Sequence, residues 1–141
     1  MSRISNSHEL RQLVESRAAN RCEYCLTPME ISTQPFEIEH IVPLSKKGLS
    51  TPENLALSCR GCNSHKYNKT EAKNDISDKK VPIYNPRKKK KKKHFAWDRN
   101  PLYLKGLTPI GRATIQALKL NRAQLISVRR ILQQIHLHPP E

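Results

Sequence analysis

The chain has 141 residues, a net charge of +14 and a pI near 10.0. That length suits one domain with one modest core, and with 36% hydrophobic and 5% aromatic residues it gains from a staple beyond apolar burial. The charge calls for a polyanionic partner. A membrane partner is not expected, because no stretch approaches the roughly 20 apolar residues a spanning helix needs. The first ten residues are polar, without the apolar core of a signal peptide, so a cytoplasmic, reducing location is the expectation. Seven cations in a row, Arg87 to Lys93, carry half of the net charge, and the remainder still stands at +7. The polyanion reading therefore survives without the lysine run.

In chain order, residues 7–19 read as a short amphipathic helix, with Leu10, Val14 and Ala18 at helical spacing. Cys22-Glu-Tyr-Cys25 follows. Residues 35–44 are the best strand, with Phe36, Ile38 and Val42 separated by polar positions and Pro43 near its end. Lys46-Lys47-Gly48 is a basic loop. Thr51-Pro52 has the chemistry of a helical start, and Leu55 and Leu57 precede Cys59-Arg-Gly-Cys62. From Asn63 to about Lys69 no proline or glycine intervenes, so a helix can run straight out of the second cysteine pair. Residues 73–80 are polar and read as loop or weak helix. The lysine run reads as a solvated, self-repelling loop. Thr108-Pro109 starts a first tail helix, and Leu125, Val128, Leu132 and Ile135 mark a second.

All four cysteines fall into two Cys-x-x-Cys pairs, Cys22/Cys25 and Cys59/Cys62. In a reducing compartment that pattern reads as a metal site before it reads as disulfides. Two thiolates two residues apart reach one ion from a tight knuckle, and two knuckles complete a tetrahedron around structural zinc. His8, His94, His136 and His138 have no partner at ligand spacing and read as structural.

Between the knuckles lie Phe36-Glu-Ile-Glu-His-Ile-Val-Pro-Leu44, then Glu53-Asn-Leu-Ala-Leu57, then Cys59-Arg-Gly-Cys-Asn-Ser-His-Lys66. This order and spacing resemble the HNH endonucleases, with the strongest match over residues 21–66 and a weaker one in the tail, in the manner of small stand-alone bacterial members. The resemblance implies an α+β fold: a small ββα-metal core stapled by a four-cysteine zinc site, with an N-terminal helix and a C-terminal helical extension. The expected single domain, 1–141, then comprises a helix at 7–20, the HNH core with its knuckles at 21–70, a basic extension at 71–106 and C-terminal helices at 107–136.

The resemblance also implies roles. His40 is the general base that activates water, and Glu39 is a ligand of a catalytic Mg²⁺ or Mn²⁺. Asn54 holds the base or its loop, and Asn63 is the second ligand, with His65 as an auxiliary ligand or phosphate contact. The residue types suit the reaction. A neutral imidazole takes a proton near pH 7, and a carboxylate and an amide oxygen are hard ligands for a cation that neutralises a phosphate. Adjacent strand residues face opposite ways, so Glu39 and His40 share one site only if the strand bends or ends there. Lys46, Lys47, Arg60, Lys66, Arg87, Lys88, Lys89, Lys90, Lys91, Lys92 and Lys93 are the expected contacts to double-stranded DNA. A homodimer through the C-terminal helices would allow double-strand cleavage. The competing expectation is a zinc-stapled nucleic-acid-binding protein without catalysis, which would not need Glu39, His40, Asn54 and Asn63 together.

Overall fold

The computed structural model describes residues 7–88 and 90–140. The chain divides into two compact units, Met1–Asn68 and Lys69–Glu141.

The first unit is a β-hairpin with a helix before and after it. Helix α1, Ser7–Arg17, buries Val14, its one fully enclosed side chain. Arg17 at its end donates to the backbone carbonyls of Pro52 (2.8 Å) and Leu55 (2.7 Å), which ties the helix to the start of the second strand. Strand β1 is Glu37–His40 and pairs antiparallel with β2, Leu55–Ser58, in the register Glu37 with Ser58 and His40 with Leu55. The expected strand at 35–44 is therefore shorter. Ile41 makes one more ladder bond, to the Asn54 carbonyl, and the chain then turns at Pro43 into a single 3-10 turn, Leu44–Lys46. A second such turn, Pro52–Asn54, occupies the expected helical start at Thr51-Pro52. It stops after three residues because Leu55 onward is claimed by β2, every residue of which is buried. Helix α2, Arg60–Lys66, leaves the second knuckle directly, with the Cys59 sulfur accepting from the Cys62 amide at its N-terminus.

The second unit carries two further hairpins and two longer helices. Residues 73–80, expected as loop or weak helix, lie within the hairpin of β3, Glu71–Lys73, and β4, Lys80–Pro82. The loop expectation holds for 74–79, with only Lys73 and Lys80 in the strands: the Asn74 amide holds Ser77 (2.9 Å) and the Asn74 backbone N–H donates to the Lys79 carbonyl (2.8 Å), so turn chemistry rather than apolar alternation makes the hairpin. The lysine run is not a loop throughout. Lys91–His94 forms a single helical turn, α3, that leads into the β5–β6 hairpin of Phe95–Trp97 and Leu104–Gly106. Lys89 lies outside the described residues.

The two tail helices fall where their periodicity placed them. Helix α4, Pro109–Leu118, is capped by the Thr108 hydroxyl, which accepts from the Gly111 amide (3.0 Å). Gly111 is required by proximity, since a Cβ there would sit 2.1 Å from the His94 carbonyl oxygen. Helix α5, Ala123–Gln134, buries Leu125, Ile126 and Leu132 and leaves Ile131 and the following Ile135 exposed. Its Arg129 is buried and donates to the carbonyls of Leu102 (2.8 Å) and Leu120 (2.6 Å), with its guanidinium 5.1 Å from the Trp97 ring centroid. Two of the histidines read as structural are buried in this unit. His94 has Nδ1 against the Thr108 hydroxyl (2.6 Å), and His138 Nε2 donates to the Pro101 carbonyl (2.6 Å). Among the described residues no helix is long and apolar enough to cross a membrane.

Candidate active site and metal centre

The four cysteine sulfurs converge. All lie within 4.8 Å of one another, and Cys25 and Cys59 from opposite knuckles are 3.7 Å apart. Four sulfurs bound tetrahedrally to one zinc at about 2.3 Å stand about 3.8 Å apart, so the cluster fits such an ion without large rearrangement. The two knuckles repeat one geometry: the Cys25 amide donates to the Cys22 sulfur and the Cys62 amide to the Cys59 sulfur, each at 3.4 Å. Such bonds favour thiolate over thiol. Without a cation the four cannot all ionise. Hydrogen bonds to Cys22, Cys25 and Cys59, with burial, push the Cys62 thiol well above its ordinary value.

The first knuckle is tied to the hairpin by a reciprocal pair of bonds. The Glu23 amide donates to the Leu57 carbonyl (2.9 Å), and the Leu57 amide donates to the Glu23 carboxylate (2.8 Å). The cysteine cluster thereby positions β2, and through β2 the whole hairpin.

Strand alternation governs the acidic residues of β1. Glu37 and Glu39 both meet α2, Glu39 at Lys66 and Glu37 at Asn63 and Arg60. The Glu39 carboxylate is 4% exposed, accepts from the Tyr24 hydroxyl (2.6 Å) and pairs with Lys66 Nζ at 2.7 Å. Burial pushes the Glu39 carboxyl above the usual carboxylate range, against the opposing pull of Lys66 and Tyr24. The Tyr24 hydroxyl is itself pushed well up, by burial and then by the neighbouring Glu39 charge. One helical turn earlier, the Asn63 amide donates to the Glu37 carboxylate, which also stands 3.7 Å from the Arg60 guanidinium. Glu37 was not singled out in the sequence. Its position two residues before Glu39, hence on the same strand face, was the available signal.

His40 ends the strand and parts from Glu39. Its Nε2 lies 2.8 Å from the Ser50 hydroxyl, on the loop that joins the strands. Asn54 braces that loop: its side-chain oxygen accepts from the Val42 amide (2.9 Å), and its amide donates to the carbonyls of Val42 (3.0 Å) and Leu49 (2.8 Å). Gly48 is needed where the loop folds back, since a Cβ there would lie 1.7 Å from the Val42 oxygen. Lys46 and Lys47, in and after the 3-10 turn, are exposed.

The other expected residues sort by exposure. Asn63 and Lys66, three apart on α2, share a face. His65 is about 200° around the helix from Asn63, so the structure does not bring it to the β1 carboxylates with Asn63. Lys66 requires a correction. It is 1% exposed, donates to the Ile41 carbonyl (2.9 Å) and neutralises Glu39, so it faces no DNA backbone. Arg60 is exposed and Arg87 half-buried. Lys88, Lys90, Lys92 and Lys93 are exposed, whereas Lys91 is half-buried with its ammonium over the Tyr84 and Phe95 rings.

Residues 22–69, the cysteine knuckles with the hairpin and α2, match the model of the HNH endonuclease family. That segment is similar to HNH endonuclease domains, and its cysteine tetrad could hold a structural metal such as zinc. Neither a curated protein nor a solved structure gives a significant match to the chain.

Proposed function

We propose that the protein is a DNA endonuclease that hydrolyses phosphodiester bonds with water activated by His40. The observation that carries this reading is the placement of the His40 ring at the end of β1, held by Ser50 on a loop that Asn54 braces. The Ser50 hydroxyl takes up Nε2, which leaves Nδ1 as the nitrogen that receives the proton from water. Oxygen donors come from β1 and α2: Glu39, as the family pattern implies, Asn63, and Glu37 beside the Asn63 amide. A Mg²⁺ or Mn²⁺ ion held there would neutralise charge on the phosphate and on the departing oxygen. Glu39 becomes a ligand only by exchanging one cationic partner, Lys66, for another. Asn63 becomes one by turning its amide oxygen outward. A zinc ion held by Cys22, Cys25, Cys59 and Cys62 would have all four positions filled by sulfur and would serve the fold rather than activate water. A second copy docked on the exposed α5 face would turn nicks into double-strand breaks.

A plasmid nicking assay tests the reading. The protein should relax supercoiled DNA with Mg²⁺ or Mn²⁺ and fail with EDTA, and His40→Ala should lose at least about a hundredfold in rate while it still binds DNA. Cleavage that survives this substitution removes His40 as the base. Binding without cleavage under any metal leaves a zinc-stapled binding module.

A further inference from the structure

The charge of the protein is divided very unequally between its two units. Of the 26 Lys and Arg, 18 lie after residue 68, against five of the 12 Asp and Glu, so residues 69–141 carry +13 and residues 1–68 carry +1. The segment that bears the HNH site is thus almost neutral. Its eight cations are matched by seven acids, and several are committed internally: Lys66 to Glu39, Arg11 to Glu15, Arg17 to backbone carbonyls. A near-neutral surface has little to offer a phosphate backbone by counterion release, the term that dominates non-specific affinity.

The second unit has the opposite character, and its densest charge sits on a built base. Lys91 rests 5.5 Å from the Tyr84 ring centroid and 5.2 Å from that of Phe95, and those two rings meet edge to face at 5.2 Å. Tyr84 and Phe95 are buried. One lysine of the run is therefore spent on anchoring the turn Lys91–His94, while Lys90, Lys92 and Lys93 beside it stay exposed.

We infer that the protein separates affinity from chemistry: the unit 69–141 anchors duplex DNA through its phosphates, with Lys90, Lys92 and Lys93 as contacts and Lys91 as their brace, and the HNH unit adds little binding of its own. Duplex is preferred to single strand because the aromatic rings beside these lysines are buried, which leaves no platform there for unstacked bases. This rests on the nuclease reading only for the choice of DNA as partner.

The test is equilibrium binding of the full-length, zinc-loaded protein to a 20-base-pair duplex, without chelator and without added Mg²⁺ or Mn²⁺, followed by anisotropy from 50 to 200 mM salt. Binding is read without cleavage, so a failed nicking assay leaves the result intact. Lys90, Lys92 and Lys93 changed together to Gln should reduce the slope of log K against log salt by about 2.7, at about 0.9 per phosphate contact. Lys46, Lys47 and Arg60 changed together to Gln should reduce it by less than about 1. Lys91→Gln, with the brace weakened, should lower affinity with a smaller change in slope than the triple variant. An equal or larger loss from the Lys46 set overturns the inference, as does an unchanged slope in the Lys90 set. Tighter binding of a single strand or of duplex RNA overturns the choice of duplex DNA.

Discussion

Lys66 and Glu39 form a buried ion pair, 2.7 Å from ammonium to carboxylate, between the end of α2 and β1. Removing one partner from such a pair leaves the other uncompensated. Lys66→Met should cost about 3–5 kcal/mol of stability, measured by denaturant unfolding of the zinc-loaded protein. A cost under about 1 kcal/mol would mean that the pair is solvated in solution.

The same pair sets a pH dependence. The Glu39 carboxyl lies above its ordinary value in the folded state, chiefly through burial. Its folded form therefore holds the proton more tightly than the unfolded form. The associated stability is full below the ordinary carboxylate pKa of about 4.3 and is lost as pH rises through the folded value. Relative to Glu39→Gln, which cannot ionise, the native protein should lose ground steadily from mildly acid to neutral pH. The comparison between the two proteins cancels the effect of zinc loss in acid. A constant difference across that range would contradict the expectation.

Divalent-ion binding can be read apart from cleavage, by electron paramagnetic resonance of Mn²⁺ with and without each carboxylate. Glu37→Gln should weaken Mn²⁺ binding by at least about tenfold, the effect expected of a ligand or its immediate support, while the zinc content stays unchanged. Glu39→Gln should weaken it as well if Lys66 yields its place to the ion. Unchanged binding in Glu39→Gln with a loss in Glu37→Gln would assign the carboxylate to Glu37.

Ser50→Ala removes the hydrogen bond to His40 Nε2. One hydrogen bond contributes about 0.5–1.5 kcal/mol, so kcat should fall by about two- to tenfold with KM little changed. Nitrogen NMR of the imidazole should show a larger share of the tautomer protonated on Nδ1. An unaltered tautomer ratio would remove Ser50 from the orientation of the base.

Chelation or Cys59→Ser should unfold the first unit, because the cysteine cluster fixes β2 through Glu23 and Leu57. The far-ultraviolet signal should fall in step with zinc release, and release should sharpen as pH drops, since the thiols take up protons when the ion leaves. A fully folded metal-free protein would show that the metal is dispensable.

The cysteine pairs and the HNH-like blocks were legible in the sequence because their information is short-range. Two Cys-x-x-Cys pairs, an acid-His pair and a proline fall into compact blocks, and the spacing within each block limits what it can do. Long-range information was less visible. Lys66 read as a phosphate contact because lysines are almost never buried unless paired, and its partner lies 27 residues earlier in the chain. The β3–β4 hairpin escaped because its strands are only three residues long and largely polar. Lys91 was indistinguishable from its neighbours until Tyr84 and Phe95 were found beneath it.

Strand β2 is only four residues long, yet Asn54 braces the loop at one end and Cys59 joins the sulfur cluster at the other. An inserted residue would push Cys59 along by about 3.3 Å, far beyond the few tenths of an ångström a metal–sulfur bond tolerates, and would swap the two faces of the strand. Chain length is therefore frozen between Asn54 and Cys59. Length variants that keep the site should concentrate instead in the exposed stretch at residues 30–35, which carries no ligand and sits outside the hairpin.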